Sequence, residues 1–221
     1  MATLHDTALA TGDASGTTLS TADALAVTAG DLVVVGFKHE GATAAVTSVD
    51  TGASTPAFSV ARATEIYAGN NDLNGFVYYW TATATGTINP RVVLAAARTF
   101  RKLKAYSFTP AGGATWALGN TNSAQVDTTT PSAGAADATA AGVSVAFFQM
   151  YASRALTVGA GWSEAAEFNL TDAQDTEYRL PTGAESITGN GTLDNTTPTI
   201  AQIATFSEVA SGDTPMAQGL C

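Results

Sequence analysis

Two histidines, nineteen carboxylates and one cysteine are the side chains of this 221-residue protein best equipped to bind a metal, move a proton or attack a carbonyl. A serine–histidine–carboxylate triad would have to use His5 or His39, and no Gly-x-Ser-x-Gly elbow stands near either. His5 falls in a stretch that reads as a tail. His39 ends an apolar run, where an exposed histidine is expected, and its neighbour Glu40 would point to the opposite face of a strand. Glu164, Glu167, Asp172, Asp175, Glu177 and Glu185 could supply the paired carboxylates of a glycosidase. Any acidic stretch offers such pairs and no motif selects one, so no catalytic residue is expected. The loop NLTDAQDTEY sets Asp172, Asp175 and Glu177 close together, and AGNNDLNGF offers Asn70, Asn71, Asp72 and Asn74. These hard oxygen ligands are weak calcium candidates that lack EF-hand spacing. No metal or cofactor is expected.

Two further stretches could recognise a partner. In FVYYWTATAT, strand alternation sets Phe76, Tyr78 and Trp80 on one face and Tyr79 on the other. Exposed, Tyr78, Tyr79 and Trp80 would make a sugar platform; aromatics bury so much area that core or interface is the competing reading. In RVVLAAARTFRKLK, Arg91, Arg98, Arg101, Lys102 and Lys104 gather five of the nine basic residues. That run reads as a strand followed by a cationic turn, either solvated or docking on an acidic partner.

The elements that must position these groups follow from composition. Hydrophobic residues make up 45% and charged residues only 13%, with Ala, Thr, Gly and Ser dominant. Such a chain favours short strands and small-residue turns over helices. The formal net charge of −10 argues against nucleic-acid binding, which needs a basic face. Charge is uneven: residues 1–104 hold 7 basic and 8 acidic groups, and residues 105–221 hold 2 and 11. Cys221 alone excludes an internal disulfide or a cysteine zinc cluster. The opening MATLHDTALATGDASG has neither the basic nor the apolar region of a secretory signal, and no apolar run reaches membrane-helix length.

Strands are predicted over 24–28, 32–39, 44–50, 57–66, 75–84, 91–97 and 102–109. A second series runs 115–118, 123–128, 143–151, 155–159, 165–169, 176–181, 185–188 and 200–209. Turn signals separate them at the spacing of a sandwich or barrel. Both faces of Leu32–His39 are apolar at first and polar toward the end, which marks a central strand covered on both sides. AGDLVVVGFKHEG (29–41) is answered by AAGVSVAFFQMYA (140–152), NGFVYYWTATATGT (74–87) by DTEYRLPTGAESITGNGT (175–192), and LKAYSFTPAGG (103–113) by AQIATFSEVASG (201–212). This order predicts a duplicated, all-β fold: antiparallel β-sandwich, jelly-roll or immunoglobulin-like, with repeats over 1–111 and 112–210. Residues 111–142 read as a linker holding one or two edge strands, and 211–221 as a tail. Two separate domains and one larger sandwich both fit.

The order TAGDLVVVGFKHEGA, VTSVDTGAS, NGFVYYWTATATGT and VVLAAARTFRKLKAYSFTPA, then LTVGAGWSEAAEFN, resembles a group of duplicated β-sandwich proteins of tailed bacteriophages, prophages and some bacteria. The resemblance covers nearly the whole chain and rests on structural motifs. It implies a non-enzymatic virion protein, either a capsid decoration (cement) protein or a tail or fibre component. Other virion proteins would be its partners and a homo-oligomer its state, with no nucleic acid and no membrane bound. It carries over no catalytic residues, and the basic Arg98–Lys104 run and Cys221 depart from its pattern. A carbohydrate-binding module on a phage tail or bacterial surface is the alternative.

Overall fold

The computed structural model describes residues 1–42, 44–52, 61–67, 73–164 and 173–210, with 61–67 as backbone alone. The strand predicted over 165–169, the carboxylates Asp72, Glu167 and Asp172, the amides Asn70 and Asn71, and the segment 211–221 with Cys221 lie outside them. The described residues form sixteen antiparallel strands and one 3-10 turn, with no α-helix. The chain is an all-β sandwich protein.

The first half contains β1 (Thr3–Gly12), β2 (Gly16–Ser20), β3 (Leu25–Val27), β4 (Leu32–Glu40) and β5 (Val46–Asp50). It continues with β6 (Ala61–Tyr67), β7 (Asn74–Thr81), β8 (Gly86–Ile88) and β9 (Arg91–Thr109). One sheet runs β1-β9-β4-β7-β6; over it, β2 and β5 flank the first half of β9, and β3 pairs with β8. Alternation decides what lies between them. Val33, Val35 and Phe37 of β4, Phe76, Tyr78 and Trp80 of β7, and Leu103 and Ala105 of β9 meet Leu19, Val92 and Leu94 in one core. Strand β9 belongs to both layers. It leaves the partner β2 at Arg98 and takes up β1 at Arg101, bending at Phe100, whose φ is +46°. The cationic turn expected between two strands is therefore a bend within one continuous strand.

After the turn Ala111–Gly113 come β10 (Thr115–Thr128), β11 (Ser132–Ala138), β12 (Gly142–Met150) and β13 (Leu156–Val158). Then follow β14 (Gln174–Arg179), β15 (Glu185–Leu193) and β16 (Thr197–Val209). A β10-β16-β12-β14 sheet closes over a β11-β15-β13 sheet, with Ala146, Phe148, Met150, Ile187, Leu193 and Ile203 between them. The stretch expected as a linker with one or two edge strands holds two, β10 and β11, each at the edge of its sheet. Likewise the expected N-terminal tail is β1 and β2; the inward side chains of β1 are Ala8 and Ala10, too small to raise an apolar signal.

The remaining face of each large sheet packs against the other. Leu32, Val34, Val77, Tyr106 and Phe108 from the first meet Val143, Val145, Phe147, Ala204 and Phe206 from the second. The result is four sheet layers with a buried seam in the middle. Each large apolar side chain fully buried there contributes about 1.5–3 kcal/mol. Gly36 and Gly75 let the layers close: a Cβ on Gly36 would lie 2.1 Å from the Phe147 ring, and one on Gly75 would lie 1.7 Å from Oε1 of Gln149.

The two strand orders correspond place by place, β1-β9-β4-β7 with β10-β16-β12-β14 and β2-β9-β5 with β11-β15-β13. Registers correspond too. Leu32 faces Phe108, which faces Leu4; Val143 faces Phe206, which faces Leu118. Contacts across the seam are reciprocal in the same scheme: Tyr79 packs on Phe206 at 5.1 Å between ring centres, and Tyr178 on Phe108 at 5.8 Å.

Candidate functional site

The seam changes character along its length. One end is apolar, and toward the other the strands carry Lys38, Lys102, Lys104, Gln149, Gln174 and Gln202, all buried. Gln149 and Gln174 are direct neighbours across β12 and β14, and among the described residues the amides of all three glutamines have no hydrogen-bond partner. Buried amides without partners are costly, and such groups gather where a protein does more than pack. Lys38 Nζ donates to Glu40 Oε1 at 2.9 Å and to the Met150 carbonyl at 2.7 Å, joining the two halves. Burial lowers the pKa of Lys38, with Glu40 opposing it. Lys104, fully buried above the Tyr106 ring, is brought down to about 8 by burial, against the attraction of Asp175 and Glu164.

Where this polar end reaches the surface a cleft of about 340 Å³ opens between the halves. Lys38 and Glu40 from β4 and Lys102 with its partner Asp13, 2.9 Å away, form one wall. Tyr151, Ala152, Ser153 and Ala173 form the other, and Phe100 stands on the rim. Phe100 and Tyr151 are 48% and 44% exposed, whereas the other described Phe, Tyr and Trp rings are buried or half-buried. Phe100 and Ala173 are also the two non-glycine residues with left-handed backbone among those described, at φ +46° and +33°. Such strain persists only when its surroundings hold it, and it collects at functional sites.

The basic residues singled out in the sequence do not form an exposed patch. Arg101 is buried, donating to the carbonyls of Thr18 and Ala14, the latter at 2.9 Å. Its pKa is lowered by that burial. Lys102 and Lys104 turn into the seam. Arg91 holds Asp50 through two hydrogen bonds, at 2.8 and 3.1 Å. Arg98 donates to the carbonyls of Ala42 and Ala97. The second half of β9 is covered on both faces and sends Arg101, Lys102 and Lys104 inward, whereas Arg91 and Arg98 on its first half stay half-exposed.

The aromatic platform is likewise corrected. Tyr78 and Trp80 lie in the first core, and Tyr79 packs on Phe206 in the seam. Of the calcium candidates, Asp175 accepts from the Thr176 amide at 2.7 Å, and Glu177 is buried beneath the second sheet, accepting from the Gly159 amide at 3.0 Å. Burial raises Glu177 to about 8, so it is mainly protonated at neutral pH and a poor cation ligand. No cluster of three metal-ligating side chains occurs among the described residues. His39 is buried, not exposed, stacked on Phe76 at 5.8 Å, with its pKa brought down to about 4 by burial. His5 sits on β1 and bonds Asp31 at 2.6 Å.

Of the cleft residues, sequence reading marked only Lys102 as a site residue. The signals for the others were faint: the polar close of an apolar strand at Lys38–Glu40, and an aromatic residue, Phe100, in a basic run. Compared with protein-family models, curated proteins and solved structures, the chain matches none.

Proposed function

We propose that this chain is a non-enzymatic structural protein of a bacteriophage virion, a capsid decoration protein or a tail or fibre component, acting through contacts with other virion proteins and with copies of itself. The observation that carries the proposal is β10. This fourteen-residue edge strand pairs only with β16 among the described residues, and it contains neither lysine nor proline, the usual guards of a free edge. Apart from Trp116, Leu118 and Gln125 its apolar and amide side chains are short, and most are exposed or half-exposed, with Asn120 and Asn122 reaching the carbonyls of Asp137 and Ala135. An open edge of this length invites a neighbouring strand. The reciprocal seam contacts support duplication of one sandwich unit. A broad four-layer block whose basic groups are mostly spent on internal pairs suits repeated display on a particle.

Sedimentation velocity tests the edge. The wild-type chain is expected to form homo-oligomers at micromolar concentration, and a Thr121→Lys, Gln125→Lys double variant to sediment as a monomer. A monomeric wild-type chain, or an oligomer untouched by the two lysines, would contradict this use of β10.

A further inference from the structure

We infer that the cleft between the two halves, with Phe100 and Tyr151 on its rim and the Lys38–Glu40 and Lys102–Asp13 pairs in its walls, binds a neutral saccharide of about one or two rings. The inference stands apart from the virion reading and does not need it.

Three features of the cleft select this chemistry. First, its charges balance. Each ammonium lining the cleft is matched by a carboxylate at 2.9 Å, so the walls offer neither an anion nor a cation an uncompensated charge. Lys38 gives two of its three donor hydrogens to Glu40 and the Met150 carbonyl, and a carboxylate has about four acceptor positions, so the walls keep hydrogen-bonding capacity beyond these bonds. A hydroxyl both donates and accepts, and a ring bearing several hydroxyls matches such alternating walls. Second, the two exposed rings offer apolar faces to the C–H surface of a sugar, while the volume of about 340 Å³ is near the lower end of small-molecule sites. Third, the site is built. The wall groups Lys38 and Lys102 are almost wholly buried, both left-handed non-glycine residues among those described border the opening, and the Gln149, Gln174 and Gln202 amides, without partners among the described residues, lie behind it along the seam.

Saturation-transfer NMR on the full chain tests the assignment, using glucose, galactose, mannose, N-acetylglucosamine, maltose and cellobiose as probes, with glucuronic and sialic acids for comparison. Tyr151→Ala and Phe100→Gly are the variants. Both rings are half exposed, and glycine accepts the +46° φ of position 100, so the fold is retained, as the thermal midpoint will verify. At least one neutral sugar is expected to bind saturably, with affinity reduced tenfold or more in each variant. Absence of saturable binding by every neutral probe, binding confined to the acidic sugars, or affinity unchanged in both variants would each overturn the inference. Particle association is scored separately, so failure of one reading leaves the other standing on its own test.

Discussion

Gly36 has no side chain because Phe147 occupies the place where one would be. A methyl there would lie 2.1 Å from a ring atom fully enclosed in the seam, so the strands must part or the ring must leave its rotamer. Gly36→Ala is therefore expected to cost about 1–3 kcal/mol, measured by urea unfolding. Glu177 is a second test at this scale. Burial raises its carboxyl from the usual 4.5 to about 8. Between those values the folded chain holds a proton that the unfolded chain has released, so the contribution to stability is full below pH about 4.5 and is lost as pH rises toward 8. His39 acts in the opposite sense, its contribution being lost as pH falls from 6.5 toward 4. Subtracting the two stability curves removes the histidine: the stability of Glu177→Gln relative to wild type should climb between pH 5 and 8. A flat difference would mean that Glu177 ionises normally.

At the scale of the element, β9 is the organising feature. It runs through both layers of the first sandwich, whereas the matching course in the second half is divided between β15 and β16. The bend at Phe100 brings Arg101 beneath the β1–β2 connection, its guanidinium filling the space a side chain would take at Gly12 and Gly16. Arg101→Ala removes the buried guanidinium that donates to the Thr18 and Ala14 carbonyls, a loss of about 1–3 kcal/mol in denaturant unfolding. Lysine, lacking the planar fork, should not restore it. The residues 91–109 also show what the sequence could and could not reveal. Its apolar alternation marked strand on both sides of the basic run, but nothing in ARTFRKLK says that the strand passes through the bend. The five cations looked like surface because isolated lysines and arginines usually are. Three of them are buried, and what receives two of these lies far back in the chain: Asp13 for Lys102, and the Thr18 and Ala14 carbonyls for Arg101. By contrast, the doubly apolar Leu32–His39 was readable as a central covered strand, since both of its faces carry the signal. The aromatic run at 76–80 was readable as strand, but its burial was settled only by the second half of the chain and by the β2 and β9 layer. The cleft was unreadable: its residues come from five separated places and meet only when the two sandwiches dock.

At the scale of the molecule, the seam makes the two sandwiches one body. Its apolar end excludes water, and its polar end ties the halves through Lys38 and the Met150 carbonyl and through the Tyr106 and Thr176 hydroxyls. Calorimetry should record one unfolding transition, with calorimetric and van't Hoff enthalpies in agreement; two resolved transitions would show that the halves are energetically independent. A single block with an open β10 edge is suited to assembly, and assembly on a particle is the role proposed for it. Quantitative mass spectrometry of density-gradient-purified phage particles from a host encoding this chain tests it most directly. The intact chain is expected at a fixed, multiple copy number per particle, retained through repeated banding. Its absence from every purified particle, with the chain recovered only in the soluble lysate, would rule out a virion role.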